Sequence, residues 1–351
     1  AFWDALLQVE RLKNKYEEAY DFSFMEHTSR EKWNGLFKIE RARVMSTATG
    51  VLPDTVSFER HHLTHAAYAY YASPIDRTKR VAVVTADGWG DGENATISIG
   101  ENGALKKVYG TAMNHLARIY RYTTLLLGMK PFEHEYKVMG LAPYARPYIS
   151  DPAYKIFKKT LAVDGLDFVW KEKPSDLYFY FRDRLEGMRF DGIAGGLQRF
   201  CDDLTVEWMT NILNHLDVDT LCFSGGLSMN IKTNMEISKI PKLRELHIPG
   251  SGGDESTAIG AAYLLSLAEG EVPKPLTHLY LGHAMGKEEI EDVLREVDDR
   301  FEVTRSVKAA HIATLLAKDR VIARCAGRME FGARALGNRS ILCNPSNPKN
   351  L

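Results

Sequence analysis

RVAVVTADGWGDGENATISIG, residues 80–100, is the stretch whose reading decides the fold class. Val81, Val83 and Val84 favour extended backbone because branched Cβ atoms fit a pleated, half-buried surface. Gly88, Gly90 and Gly92 supply the freedom a turn needs, and residues 95–99 resume the extended pattern. The stretch reads as strand, glycine turn and strand, a hairpin with acidic residues at its tip. Further along the chain, Leu197, Phe200, Leu204, Trp208 and Ile212 recur at helical spacing and lead into a short strand at 220–223, followed by Ser224-Gly225-Gly226. Another helix, 256–267, follows Gly252-Gly253-Asp254-Glu255. Helix, strand and glycine turn in this order predict an α/β layer.

Towards the start, residues 1–47 mix apolar and charged residues at helical spacing, as in Leu6, Val9, Leu12 and Tyr16, and read as amphipathic helices. Towards the end, GEVPKPLTHLYLG reads as a linker by its proline and glycine content. A domain boundary near residue 270 is expected, giving domains 1–270 and 271–351. The second would hold a strand near Thr277, helices at 287–297 and 310–317, and a buried strand at 321–325.

A chain of 351 residues has core enough for about two domains. With 45 Lys+Arg against 46 Asp+Glu, its charge is balanced, so neither nucleic acid nor membrane is an expected partner. Cys201, Cys222, Cys325 and Cys343 form no CxxC pair, which fits a reducing, cytoplasmic setting. No apolar run reaches the roughly 20 residues of a membrane helix, and the opening AFWDALLQVERLKNKYEEAY carries charges where a signal peptide is apolar.

The chemistry-bearing residues cluster in a few segments. In HHLTHAAYAYY, His61 and His65 lie four apart and His62 and His65 three apart, so on a helix two imidazoles share a face and can chelate one metal. The same pattern suits a histidine-rich helix end whose rings only hydrogen-bond, and the glutamate of an HExxH metalloprotease is missing. Asp87, at a strand end, and Asp254, at a helix start, are the carboxylates available to complete a two-His site for divalent iron, manganese or zinc. Locally, Asp87 also reads as a turn residue and Asp254 as an N-cap. Ser224-Gly225-Gly226 with Asn230 and Asn234 beyond it could let backbone approach a nucleotide, although a single GG after a strand is more often a tight turn. Neither a GxxxxGK loop nor GxGxxG is present, against P-loop and Rossmann chemistry. GRMEFGARALGNRSIL sets Arg328, Arg334 and Arg339 among glycines, with Ser340 following. Neighbouring Phe331, Leu336, Ile341 and Leu342 imply partial burial, which favours a phosphate- or carboxylate-binding role over a solvated face.

Six segments in order, HHLTHAAYAYYASP, ADGWGDG, EHEYKVMGLAPYA, FSGGLSMNIKTN, PGSGGDESTAIGAA and GRMEFGARALGNRSIL, closely resemble the nodulation-protein-U type O-carbamoyltransferases, the family that includes tobramycin carbamoyltransferase. The resemblance implies an actin-like ATPase-type first domain, related to tRNA threonylcarbamoyl transferase, followed by a YrdC-like domain. It implies ATP with Mg, and carbamoyl phosphate as co-substrate, reacting to carbamoyl-adenylate, whose carbamoyl group passes to a hydroxyl of a small molecule such as a sugar or secondary metabolite. By resemblance the metal falls on His61, His65 and Asp254 with Asp87 nearby. Ser224, Gly225, Gly226 and Asn230 match the segment holding the adenosine part. Lys137 matches a motif lining the same cleft, and Arg328, Arg334, Arg339 and Ser340 fall in the motif that by resemblance binds carbamoyl phosphate or the ATP phosphates. Asp87, Asp91 and His62 are the candidates for the base that takes the hydroxyl proton. The family begins earlier and continues further, so a fragment with an incomplete YrdC-like domain is expected. Ala333 and Ala145 stand where the family usually has proline and glycine. A tRNA threonylcarbamoyl transferase-like enzyme and a nucleotide- or metal-binding module without turnover are the alternatives.

Overall fold

The computed structural model describes residues 23–297 and 300–350. Leu6, Val9, Leu12 and Tyr16 of the expected amphipathic helices lie outside these residues. The chain forms two compact units, Ala1–Arg60 and His61–Leu351. In the first, helix α1 (Arg30–Thr49) ends at Gly50, whose φ of 77° is the left-handed value that closes a helix C-terminus. Lys38 sits over the Phe58 ring at 5.7 Å.

The second unit is built on a five-stranded mixed sheet of order β3-β2-β1-β6-β7. Its strands are β1 (Val81–Gly90), β2 (Glu93–Glu101), β3 (Ala104–Thr111), β6 (Thr220–Ser224) and β7 (Glu245–His247), with β4 (Leu161–Asp164) and β5 (Asp167–Trp170) forming a separate hairpin. β1 pairs antiparallel with β2 and parallel with β6, so it lies at the centre of the sheet. A central strand buried on both faces must be apolar without alternation, which is why VAVV reads as it does. Ala82, Val84 and Ala86 join the larger core with Phe200, Trp208 and Ile212, whereas Val81 and Val83 join the smaller core with Ala66, Ala67 and Tyr70.

Helices cover both faces. α2 (His61–Tyr71) and α9 (Thr257–Ala268) pack on one; α3 (Leu116–Leu126), α4 (Glu135–Leu141), α5 (Pro147–Lys158), α6 (Leu177–Leu185) and the long α7 (Phe190–Leu216) build the other side, with α8 (Ile231–Ile237) following β6. The stripe Leu197, Phe200, Leu204, Trp208 and Ile212 is buried on α7 as its spacing predicts.

The hairpin departs from expectation in one respect. β1 continues through Gly88 to Gly90, and the turn is confined to Asp91 and Gly92, with φ of 51° and 88°. Two consecutive left-handed residues match the right-handed twist of the flanking strands.

Beyond residue 270 come α10 (Lys287–Glu296), α11 (Ala309–Ala317) and the antiparallel pair β8 (Ile322–Cys325) with β9 (Arg339–Leu342). The strand expected near Thr277 does not form. Pro273 and Pro275 remove ladder donors from that segment, which is tied down by single bonds instead, Leu276 N–H to Ala72 O at 3.0 Å among them. The strand expected to be buried at 321–325 is only half-buried, and Val321 is exposed, because two strands alone leave a face uncovered.

Candidate active site

Three elements bring four ligand-type side chains together. α2 carries His61 and His65 one turn apart; β1 carries Asp87; and the loop leading into α9 carries Asp254. One donor atom from each lies within 4.8 Å of all the others. His61 Nε2 is 2.8 Å from Asp87 Oδ2 and 3.8 Å from Asp254 Oδ1, while His65 Nε2 is 3.6 and 3.5 Å from the same two oxygens. Donors about 2.1 Å from one ion are separated by roughly 3.0–3.4 Å, close to these values. A further observation supports the fit: His65 is fully buried, and neither of its ring nitrogens has a hydrogen-bond partner. A buried imidazole left so is costly unless something else satisfies it.

The local fold explains the convergence. β1 loses its register with β2 between Ala86 and Gly90, and such an irregularity re-aims the side chains it carries. Asp87 thereby turns towards α2. Gly90 lets α2 approach: a methyl there would overlap the His61 ring and lie 2.8 Å from its Cβ. Gly225, at φ 91°, closes against β1, with Ala86 directly beneath. Asp91 Oδ2 accepts the His61 N–H at 2.7 Å, so the hairpin tip satisfies a free donor at the start of the helix that bears both histidines.

Electrostatics follow from this packing. Burial works to raise the Asp87 carboxyl pKa, but the hydrogen-bonded His61 ring and the nearby His65 ring outweigh it and hold the group well below the usual carboxylate range. Burial works to lower His65, but Asp254 and Asp87 outweigh it and raise the ring to about 9. His62 points into the sheet, its Nδ1 2.8 Å from Thr85 Oγ1, and burial is the main cause that lowers it to about 4.

Asp87 and Asp254 also border a cleft of about 370 Å³, lined further by Arg121, Phe132, Tyr136, Gly226, Asn230 and Arg334. The predicted residues divide around it. Gly226 and Asn230 reach it, although the Asn230 side chain also caps α8 through Thr233 N–H and exchanges bonds with Gln198. Ser224 is buried with its hydroxyl unpartnered, and neither it nor Gly225 is among the lining residues. Lys137 is not among the lining residues; its ammonium is 3.1 Å from His134 Nε2. Of the four predicted residues in the arginine segment, Arg334 alone borders the cleft, its guanidinium 4.1 Å over the Tyr136 ring. Arg328 donates to Gly282 and Leu281 carbonyls, Arg339 to those of Ala326, Asn338 and Gly327, and the Ser340 hydroxyl accepts the Gly337 N–H. These three hold the shape of the segment. Arg121 and Phe132 were not among the predicted residues, because one arginine on an amphipathic helix reads as a solvated face.

Residues 10–263 match the family model described as Carbamoyltransferase N-terminus, and residues 313–351 the one described as Carbamoyltransferase C-terminus. The chain belongs to the carbamoyltransferase family. Among the chain's relatives, an uncharacterized protein of Methanocaldococcus jannaschii is 28% identical over 346 residues, 91% of this chain and 56% of the relative. One of Synechocystis is 31% identical over 83% of this chain and 51% of the relative. The nodulation protein NolNO of Sinorhizobium fredii is 28% identical over 85% and 44%. The chain spans about half the length of these relatives. Among solved structures, full-length HypF in its phosphate- and nucleotide-bound form aligns with a TM-score of 0.38 at 12% identity, over 63% of this chain and 45% of that one, too slight a likeness to carry an inference. Among the described residues, no helix is long and apolar enough to cross a membrane.

The Asp91 contact yields a first prediction. Asp91→Ala is expected to cost about 1 kcal/mol, typical for a lost helix N-cap, and to lower Tm by roughly 2–4 °C, with Asp91→Asn close to wild type. Thermal melts of the three proteins check this; equal Tm values would show the contact to be idle.

Proposed function

We propose that this chain transfers a carbamoyl group to a hydroxyl of a small molecule, with carbamoyl phosphate and ATP as co-substrates and carbamoyl-adenylate as the donor. What supports the reading best is that the two carboxylates of the four-ligand group and Arg334 border one cleft in a chain of this family. On this reading residues 1–270 belong to an actin-like ATPase-type domain, and a YrdC-like domain starts at 271.

The chemistry balances in two steps. Carbamoyl phosphate and one water give phosphate and carbamate; a carbamate oxygen bonds to the α-phosphorus of ATP, and pyrophosphate leaves. The acceptor hydroxyl oxygen then bonds to the carbamoyl carbon, the bond from that carbon to the AMP oxygen breaks, and AMP departs. A divalent ion held by His61, His65, Asp87 and Asp254 would polarise the electrophile. Of the three candidate bases, Asp87 is the one that lines the cleft, since Asp91 is engaged by the His61 N–H and His62 is buried against Thr85. Arg334, stacked on Tyr136, offers its guanidinium to phosphate oxygens, a charge-assisted contact.

Release of pyrophosphate from ATP by the protein that carries this chain is expected to require carbamoyl phosphate and to fall at least ~10-fold in Arg334→Ala, the loss of one charged hydrogen bond. His61→Ala is expected to release pyrophosphate without making carbamoylated product. Release that ignores carbamoyl phosphate would sink the reading.

A further inference from the structure

The cleft's charges are unevenly paired. Its five carboxylates all have partners within the protein: Asp87 and Asp254 meet the histidines, Glu133 pairs with Lys130, Glu135 accepts the Phe132 N–H at 2.8 Å, and Glu255 accepts from the Ser251 hydroxyl. The two lining arginines, each stacked on an aromatic ring, have no such polar partner among the described residues. Among the described residues, neither Arg121 nor Arg334 has a hydrogen bond or a carboxylate within 4.0 Å.

Arg121 is the less ordinary of the two. It lies on α3 and is only partly exposed; its guanidinium is held 3.8 Å over the face of Phe132, and Gly88 leaves it room beside Asp87, since any Cβ there would overlap its Nη2. Burial pulls its pKa below the ordinary arginine value. The residue beneath it is strained. Phe132 has φ 69°, a left-handed conformation that a bulky side chain rarely adopts, yet its ring is half exposed in the cleft. Strain of this kind persists where surrounding structure fixes it, and it gathers at ligand sites. Stacking on an aromatic face fixes the plane of a guanidinium while leaving its N–H edge free, the edge that meets two oxygens of one anion.

We propose that Arg121, braced on Phe132, binds an oxyanion of the substrate pair in the cleft beside Asp87, as a second cationic arm facing the same space as Arg334. The proposal rests on the carbamoyl-transfer reading for the meaning of the anion, which is either the donor's phosphate or an acidic group on the acceptor, but anion binding itself does not depend on that reading.

Titration of the intact chain with AMP, adenosine and inorganic phosphate tests it, together with phenylglyoxal labelling of Arg121 followed by peptide mass spectrometry. Phosphate is expected to slow labelling of Arg121 in wild type, and Arg121→Met to weaken phosphate binding at least ~10-fold, as for one charge-assisted contact. Arg121→Lys is expected to recover part of the affinity, which controls for folding. If the wild-type preference for AMP over adenosine collapses in Arg121→Met, the anion is the donor's phosphate. If that preference survives while phosphate still protects Arg121, the anion belongs to the acceptor. Phe132→Gly removes both strain and ring, so it is expected to keep or raise Tm while weakening phosphate binding; a merely structural phenylalanine would lose Tm instead. The proposal is overturned if phosphate and AMP leave labelling unchanged and Arg121→Met binds both as wild type does. Loss of pyrophosphate release with intact protection at Arg121 would instead count against the transfer reading alone.

Discussion

His65→Ala is expected to lose stoichiometric binding of a divalent metal while the protein still folds. Neither nitrogen of this fully buried ring has a hydrogen-bond partner, and its contacts to Asp87 and Asp254, at 3.6 and 3.5 Å, are long for hydrogen bonds but suited to ligands sharing an ion. Removing a direct ligand should cost at least the roughly 10–100-fold in affinity lost when an outer-shell partner is removed. Truncating a buried ring also leaves a cavity, so Asp254→Ala is the cleaner companion. Its side chain is 77% exposed, and surface truncations usually shift stability within about 0.5 kcal/mol. Metal content after equilibration with iron, manganese or zinc and dialysis, read beside Tm, distinguishes the cases. Metal-poor Asp254→Ala with an unchanged Tm assigns the loss to ligation; metal retained at wild-type level in both variants would remove the site.

Much of this architecture is legible in the residues because short-range periodicity is. The α7 stripe from Leu197 to Ile212 and the pairing of His61 with His65 one turn apart both follow from helix geometry alone. Asp87 and Asp254, from segments far apart in the chain, are offered to those histidines by their places at a strand end and a helix start, where a turn residue and an N-cap read as well, and only the order of six motifs favours them as ligands. What escaped depends on which side chains meet. Arg121 gains its meaning from Phe132, eleven positions on, and from an empty place at Gly88. Arg328 and Arg339 are taken up by main-chain carbonyls of Gly282 and Ala326, which no sequence spacing announces. The strand expected at Thr277 does not form because Pro273 and Pro275, in its approach, have no N–H to give a ladder.

Gly90→Ala is expected to empty the metal site without touching a ligand. Its would-be Cβ overlaps the His61 ring and lies 2.8 Å from the His61 Cβ as well, so rotating the ring away cannot relieve the overlap. The start of α2 must move, which displaces His61 from Asp87 and strains the Asp91 cap on its N–H. Overpacking of this kind costs about 1–3 kcal/mol, and with His61 displaced the metal loses a donor, so metal content is expected to drop as far as in His65→Ala. Gly92→Ala, two residues on, is the control. At φ 88° with nothing within 4 Å of the added methyl, it imposes about 1–2 kcal/mol of left-handed strain yet leaves the ligands where they are. Both variants should therefore melt early, and only Gly90→Ala should be metal-poor. Equal metal content in the two would mean that α2 tolerates the shift, and that close approach of helix and strand is not what sets the geometry of the site.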